Sequence, residues 1–242
     1  MTVLVVGASG ATGRLLVKQL LNRGLHVKVI VRSPDKLPEA IRDHENVSVI
    51  QAAVLDLTDA EMAQHVQGCE AVASCLGHNL NVKGIYGPPR MLVSEATRRL
   101  CNAIKANQPA KPVRFVLMNT TGNSNRDIPE SVSFAQSCLI GLIRWLLPPQ
   151  RDNEQAAETL RVQIGQHDGA IEWVAVRPDT LIDEPEVTEY AVYASPTRSA
   201  IFDPGKTSRI NVGHFMAALL TNDALWKQWK GQMPVIYNKV SS

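Results

Sequence analysis

The segment Gly7-Ala8-Ser9-Gly10-Ala11-Thr12-Gly13 places a glycine at every third position, directly after a short apolar run. Three glycines between a strand and a helix are typical of a loop that holds the pyrophosphate of a dinucleotide, because free N–H groups at the helix start attract phosphate. We assign Gly7 to the tight exit from the strand, Gly10 to close approach of the pyrophosphate, and Gly13 to close helix–sheet packing. The alternative is an ordinary tight strand-to-helix turn.

The residues after the second apolar run distinguish between two dinucleotides. Arg32 and Ser33 stand there, with Lys36 one turn later. A site for NAD usually has aspartate or glutamate at this place, which binds the ribose 2′-hydroxyl. A carboxylate would repel a 2′-phosphate, whereas a guanidinium grips it with two charge-assisted hydrogen bonds. The sequence therefore predicts NADP(H), and the alternative is that Arg32 simply points to solvent.

Alternating strands and helices must position these residues. Apolar, β-branched runs predict strands at Thr2–Val6, His26–Val31, Val47–Ala52, Ala71–Ser74, Val113–Met118 and Ile171–Val176. Helical spacing predicts helices over Ala11–Arg23, Asp59–Val66, Pro88–Asn107, Ser131–Leu147 and Asn153–Gln166, with a break at Pro148-Pro149. The alternation predicts one α/β domain over 1–242, a Rossmann-type doubly wound parallel sheet.

The pattern weakens after Pro178, where only a strand at Tyr190–Ala194, a helix at Asn211–Leu220 and a strand at Val235–Tyr237 are indicated. We expect about residues 179–242 to form a small cap on the substrate side of the domain, since function is commonly carried by loops over a rigid scaffold.

Bulk composition excludes several classes of protein. The 242 residues are 45% hydrophobic and 20% charged with a net charge of +2, which is typical of a globular protein and too mild for nucleic-acid binding. The four cysteines form no CxxC pair and have no histidine at metal-ligand spacing, so neither a metal site nor a disulfide framework is predicted. Without a visible secretory signal or membrane-spanning run, we expect a cytoplasmic protein that does not bind membranes.

Five segments spread over nearly the whole chain fit one family pattern. They are GASGATGR at 7–14, Val31-Arg32-Ser33, Asp56-Leu57, Val176-Arg177-Pro178 and Ser208-Arg209-Ile210-Asn211-Val212. Together they resemble the atypical short-chain dehydrogenase/reductases, especially the NmrA-like and NAD(P)H-binding subgroup.

The resemblance implies where a bound dinucleotide would lie. Ser9, Ala11 and Thr12 would line its phosphates, and Arg32 would contact the 2′-phosphate. The residues implied at the adenine are Asp56 and Leu57, and those at the nicotinamide ribose are Leu76 and Gly77.

One motif of catalytically complete members is absent from the sequence. They use Tyr-x-x-x-Lys, in which the lysine lowers the tyrosine pKa so that the tyrosine exchanges a proton with the substrate. No tyrosine here has a lysine four positions later, and residues 148–154, at the expected place, contain no tyrosine. Hydride transfer is not excluded, because the cofactor carries it and a substrate with an acidic site can take its proton from water.

Two residues are candidates for catalysis. Thr120 stands where the family has a serine after the fifth strand and would hydrogen-bond a substrate carbonyl; capping of local backbone is an equal alternative. His78 follows Gly77 near the expected nicotinamide end and is a candidate general acid, although a histidine on a surface loop is commoner. For Arg177 we favour a structural role, in which it anchors the strand end to a carboxylate.

We therefore predict an oxidoreductase that transfers a hydride from NADPH to a small, flat or conjugated organic substrate. The alternative is a non-catalytic, NADP-binding redox sensor of the NmrA-like type that docks on a partner protein, which the missing motif favours. A sugar-nucleotide epimerase or dehydratase is a weaker alternative, because those enzymes need the tyrosine. The apolar stretch 134–147 leaves a homodimer face open, while burial in the chain's own core is the simpler interpretation.

Overall fold

The computed structural model describes residues 1–78, 87–130 and 147–239. The strands of this part are β1 Thr2–Val6, β2 His26–Val31, β3 Val47–Gln51, β4 Ala71–Ser74, β5 Val113–Met118, β6 Ile171–Pro178, β7 Thr180–Ile182, β8 Tyr190–Tyr193, β9 Lys206–Ser208 and β10 Val235–Asn238. Eight of them form one sheet in the order β3-β2-β1-β4-β5-β6-β10-β8, and β7 and β9 form a separate parallel pair. In the large sheet only β8 runs antiparallel to its neighbour, β10.

Seven α-helices accompany the strands in the described part. They are α1 Ala11–Leu21, α2 Glu39–Arg42, α3 Asp59–Val66, α4 Leu92–Ala106, α5 Pro148–Glu158, α6 Arg209–Thr221 and α7 Asp223–Trp229, with a π-helical extension of α5 at Thr159–Ile164 and a 3-10 turn at Pro34–Lys36. None of the helices in these ranges is long and apolar enough to cross a membrane.

The two faces of the sheet carry separate apolar cores. Val3 and Val5 of β1 face a cluster that includes α1 and α6, while Leu4 and Val6 face a cluster that includes α3, α4 and α5. Alternate residues of a strand point to opposite faces, so a strand covered by helices on both sides is apolar throughout. This explains the uninterrupted run of β1 and confirms the predicted Rossmann-type sheet.

The strand order reverses between β1 and β4, which lie side by side although β2 and β3 intervene in the sequence. The chains that leave neighbouring parallel strands on either side of such a point diverge, and a crevice opens at their carboxyl ends. The glycine-rich segment follows β1, and residues 75–78 follow β4, so both lie at this crevice.

Two predicted helix boundaries were wrong. Helix α5 begins at Pro148 rather than at Asn153, because proline suits the first helical turn, where its missing N–H has no intrahelical partner. Helix α4 begins at Leu92 rather than at Pro88. The helix predicted over 131–147 lies outside the described residues apart from its last position.

The segment after Pro178, which we expected to form a cap, in part extends the sheet. Strands β10 and β8 continue the sheet beyond β6, and α6 packs against α1. The short strands β7 and β9, which have no clear apolar pattern, were not predicted. They lie next to the carboxyl end of β6 and so help to shape the site described below.

Candidate functional site

The glycine-rich loop is packed so closely that side chains are excluded at two of its glycines. Gly7 has φ +77, and a Cβ there would lie 2.5 Å from the carbonyl carbon of Cys75 and 2.7 Å from the Leu76 nitrogen. A Cβ on Gly13 would collide with the Gly7 carbonyl oxygen. The inner side of the loop therefore lies directly against the residues that follow β4. A ligand can approach the loop backbone from the outer side.

The start of α1 supplies hydrogen-bond donors for an anion. Gly10 is the N-cap residue and provides no side-chain cap, and the first N–H of the helix ladder that bonds to it is that of Arg14. The preceding N–H groups, those of Ala11, Thr12 and Gly13, therefore have no intrahelical acceptor. Together with the positive end of the helix dipole they form a cradle that fits a diphosphate.

Two arginines add positive charge near this cradle. Arg32 is exposed at the end of β2, and within the described part of the chain no carboxylate pairs with its guanidinium. Ser33, which follows it, is half-buried. Arg14 is likewise exposed, in the first turn of α1, and is the last residue of the GASGATGR segment.

The loop that carries Asp56 and Leu57 is held in place by an arginine of a separate helix, α4. Asp56 is exposed and Leu57 is 9% exposed. The guanidinium of Arg99, on α4, donates to the carbonyl oxygens of Leu55 (2.9 Å) and Leu57 and to the Asp59 carboxylate (3.0 Å). Sequence reasoning missed this arginine, since nothing in the local sequence of α4 indicates the loop that it reaches.

The chain leaving β4 carries a buried histidine that is hydrogen-bonded to a carboxylate of α5. Leu76 is half-buried and Gly77 exposed, but the His78 side chain is only 5% exposed, so it is not a surface histidine. Its Nε2 lies 2.7 Å from Oδ2 of Asp152, which is fully buried.

Asp152 also caps helix α4. It accepts hydrogen bonds from the backbone nitrogens of Val93 (2.7 Å) and Ser94 (2.9 Å) and from the Ser94 hydroxyl (2.5 Å). The local N-cap residue, Met91, makes no side-chain cap bond, so a carboxylate from α5 takes over that role. A single buried group thereby fixes the start of α4, the start of α5 and His78 relative to one another.

The loop after β5 is rigid. The Thr120 hydroxyl oxygen accepts from the Gly122 nitrogen (3.2 Å), and Asn119 Oδ1 accepts from the Thr120 nitrogen (2.8 Å). Gln150, in the first turn of α5, donates through Nε2 to the Gly122 carbonyl (3.1 Å) and to Asn123 Oδ1 (2.8 Å). Thr120 thus caps local backbone, while its own hydroxyl proton remains for a further acceptor.

A cavity of about 270 Å³ opens beside this loop, at the carboxyl ends of β5 and β6. Its lining combines three hydroxyls, one amide and one carboxylate with two apolar residues and a glycine: Thr120, Thr121, Gly122, Gln150, Asp179, Thr180, Ala200 and Ile201. Burial raises the pKa of Asp179, and hydrogen bonds from Gly205, Thr180 and Thr121 together with the charge of Arg198 act in the opposite direction. Sequence reasoning missed Asp179.

Arg177 has the structural role that we favoured. It is fully buried, and its NH2 group pairs with Glu130 at 2.6 Å. It also donates to the carbonyl oxygens of Met233 (2.6 Å) and Asn123 (2.7 Å). The loop of Asn123 also carries Thr120 and binds Gln150. Arg177, which holds the Asn123 carbonyl, therefore fixes one wall of the cavity.

A family profile described as NAD(P)H-binding matches residues 7–223. The chain belongs to the NAD(P)H-binding family. The match begins at the first glycine of the loop and extends through the strand crevice to α7. The match to this family of oxidoreductases thus covers nearly the whole chain, in agreement with the resemblance drawn from the sequence.

Individual relatives are distant. An uncharacterised chloroplastic protein of Arabidopsis thaliana is 39% identical over 57 residues, which are 24% of this chain and 20% of that protein. A short-chain dehydrogenase/reductase of Veillonella parvula, solved in complex with NADP, is 17% identical with a TM-score of 0.67 over 98% of this chain and 94% of the other. A Streptococcus pneumoniae protein with a proposed NADH-flavin reductase activity is 17% identical with a TM-score of 0.66 over 99% of this chain and 100% of the other. Likeness at this level shows the fold.

Proposed function

We propose that this member of the NAD(P)H-binding family is a reductase that uses NADPH to reduce a small, flat or conjugated organic substrate. The observation that carries the proposal is the cradle at the strand-order reversal. The loop has no room for a side chain at Gly7 or Gly13 and leads into helix N–H groups that have no cap, and Arg32 stands unpaired among the described residues at the end of the next strand.

Different residues of the cradle are assigned to the diphosphate and to the 2′-phosphate of the cofactor. The N–H groups of Ser9, Ala11, Thr12 and Gly13 are proposed to donate to the diphosphate, and those of the first helical turn have no intrahelical acceptor. Gly10, whose own N–H donates to the Gly7 carbonyl (3.0 Å), and Gly7 are proposed to shape the loop so that the diphosphate can approach its backbone. The preference for the 2′-phosphate is assigned to the Arg32 guanidinium, assisted by the Ser33 hydroxyl.

The rest of the cofactor follows the carboxyl edge of the sheet. We assign the adenine to the loop of Asp56 and Leu57, which Arg99 holds, and the nicotinamide ribose to Leu76 and Gly77. When bound, the reduced nicotinamide supplies the hydride. The chain's own part is to orient that ring and the substrate.

His78 and Thr120 are the proposed catalytic residues. Thr120 lines the cavity, and its hydroxyl, whose oxygen accepts from Gly122, donates a hydrogen bond to a substrate carbonyl. His78 is the proposed general acid, and the hydrogen bond to Asp152 fixes the orientation of its ring.

The two cited solved structures support different parts of this proposal, and the second, an NADH-flavin reductase by its proposed activity, supports the substrate class and not the choice of NADPH. One was solved with NADP, and the proposed activity of the other is flavin reduction, where flavin is a flat conjugated ring system. A cytoplasmic location belongs to the same proposal.

A non-catalytic redox sensor is the second candidate function. It is favoured by the contacts of residues 148–154, the segment where catalytically complete members carry their tyrosine. Gln150 and Asp152 are both committed to holding other parts of the chain. A sensor would bind NADP⁺ and NADPH with different affinities and pass the difference to a partner protein.

Turnover separates the two functions. The protein is mixed with NADPH and, in turn, a quinone, a flavin and an aromatic aldehyde, and the loss of reduced nicotinamide absorbance is followed. We expect oxidation of NADPH with at least one of these acceptors, and a His78→Gln variant that binds NADPH normally but turns over more slowly. Differential binding of the two redox forms without any turnover would instead establish the sensor.

A further inference from the structure

We propose that the cavity lined by Thr120, Gln150 and Asp179 is a subsite for a substrate group that carries N–H donors, preferably a cation, and that it discriminates against carboxylates. The inference rests on the proposed function, since the cavity lies at the same edge of the sheet as the proposed nicotinamide position. It adds to that function the chemical character of the substrate.

Asp179 has one acceptor position to spare. Its Oδ1 accepts from the Thr180 nitrogen (2.9 Å) and its Oδ2 from the Gly205 nitrogen (3.0 Å), and Thr121 adds a side-chain hydrogen bond. An ionised carboxylate offers about four lone-pair positions. The three bonds hold the group rigidly at the cavity wall and leave about one position for a ligand.

Gln150 also presents an acceptor. Both hydrogens of its Nε2 are directed to oxygen acceptors, the Gly122 carbonyl and Asn123 Oδ1, and this fixes which end of the amide is nitrogen. The polar capacity that Gln150 has left is its carbonyl oxygen Oε1. The cavity therefore offers a ligand two acceptors, and Thr120 adds one hydroxyl.

The charge of the cavity favours the same kind of ligand. Among the described residues that line it there is no lysine or arginine, and Asp179 is the one ionisable group of that set. The charge of Arg198 acts on Asp179, and this arginine is itself bound through two nitrogens to Asp203 at 2.7 and 3.0 Å. Tyr237 is the other titratable neighbour, and burial raises its pKa, as does the charge of Asp179. An anionic ligand would meet a carboxylate without a compensating cation on the cavity wall.

The size of the cavity limits the group to about one substituted ring. A volume of about 270 Å³ is slightly below the range of about 300–1,000 Å³ for pockets that hold a whole drug-sized ligand. Ala200 and Ile201 provide an apolar side against which a ring can lie. A planar ring bearing an amidine, amine or amide group fits these features.

Three probes of equal shape test the charge preference: benzamidine, benzamide and benzoate. Each is titrated into isotope-labelled full-length protein, and the backbone amide signals of Thr120, Thr180 and Gly205 are followed by NMR. We expect benzamidine to bind at least about tenfold more tightly than benzoate, since a hydrogen bond to a charged group is worth about that factor. Benzamide should lie between them.

The matched variants are Asp179→Asn and Asp183→Asn, of which the second removes an exposed carboxylate outside the cavity lining. The first should abolish the preference for benzamidine over benzamide, and the second should preserve it. In case Asp179→Asn does not fold, the pH dependence of the unaltered protein gives the same information. The preference should disappear as pH falls through the raised pKa of Asp179, because the carboxyl is then neutral.

The outcomes separate this inference from the proposed function. Equal affinity for benzamidine and benzoate, or no shift of the three amide signals with any probe, overturns the subsite even if NADPH raises the melting temperature. Selective benzamidine binding without any effect of NADPH supports the subsite and overturns the proposed reductase.

Discussion

The proposed phosphate side and the proposed substrate side of the crevice are built in different ways. On the phosphate side, the β1–α1 loop offers backbone N–H groups, and its shape depends on glycines within seven residues of sequence. On the substrate side, side chains from separate elements meet: His78 with Asp152, and Gln150 with Gly122 and Asn123. The comparison teaches that backbone recognition can be encoded locally, whereas side-chain recognition here depends on contacts between distant segments.

The largest effect is expected at Gly7, where the phosphate side is least tolerant. Gly7→Ala should lower the free energy of unfolding by about 3 kcal/mol or more, because it combines a positive φ with a clash against the Cys75 backbone. Gly24→Ala is the matched control, since Gly24 has φ +71 but nothing within 4 Å of an added Cβ. It should cost about 1 kcal/mol. Equal losses in urea denaturation would show that the close approach of the loop to β4 does not matter.

The corresponding test of the substrate side is Asp152→Ala. The substitution leaves the buried donors of His78, Val93 and Ser94 without their acceptor, so we expect a loss of about 3 kcal/mol in the free energy of unfolding. Asp59→Ala, which removes an exposed carboxylate, should cost less than about 1 kcal/mol.

A double-mutant cycle sharpens the same test. His78→Ala and Asp152→Ala should be non-additive by about 1 kcal/mol or more, as expected for residues in direct contact. Additive losses would mean that Asp152 acts on α4 alone and does not orient the histidine.

Arg32→Glu tests whether one side chain on the phosphate side sets the choice of cofactor. We expect the affinity for NADPH to fall about 100-fold, because two charge-assisted hydrogen bonds are replaced by repulsion, while the affinity for NADH changes much less. Lys18→Glu, an exposed charge reversal on α1, is the control and should leave the ratio of the two affinities unchanged. Equal weakening of both cofactors by Arg32→Glu would remove the 2′-phosphate assignment.

The smallest effect concerns the pH dependence of stability. Burial raises the pKa of Asp179 above its value in the unfolded chain, so the folded state binds this proton more tightly. The contribution of this group to stability is therefore complete below the unfolded pKa and is lost as pH rises through the folded one. The unaltered protein should therefore lose stability relative to Asp179→Asn as pH rises from the unfolded pKa of Asp179 through its folded pKa. A difference that stays constant with pH would argue against the raised pKa.

Much of the fold followed from local pattern. The six strands from β1 to β6 were predicted. Most of them lie inside the sheet, where a parallel strand buried on both faces is a nearly continuous apolar run, whereas the edge strand β3 is only half-buried and was predicted from its β-branched residues. Helix α5 was misplaced because the proline pair has two interpretations, a break or a first turn, and only packing decides between them. Strands β7 and β9 are three residues each and carry no periodic signal.

The sequence by itself determined the glycine loop, its place after the first strand and the basic residue after the second. These depend on backbone conformation and on chain order, both of which are local properties. Only the tertiary structure decided that Asp152 holds His78, that Gln150 supports the Thr120 loop and that Asp179 stands in a cavity. The physical reason is that a buried carboxylate or amide is set by donors and acceptors from other elements, and sequence spacing does not reveal which elements will meet.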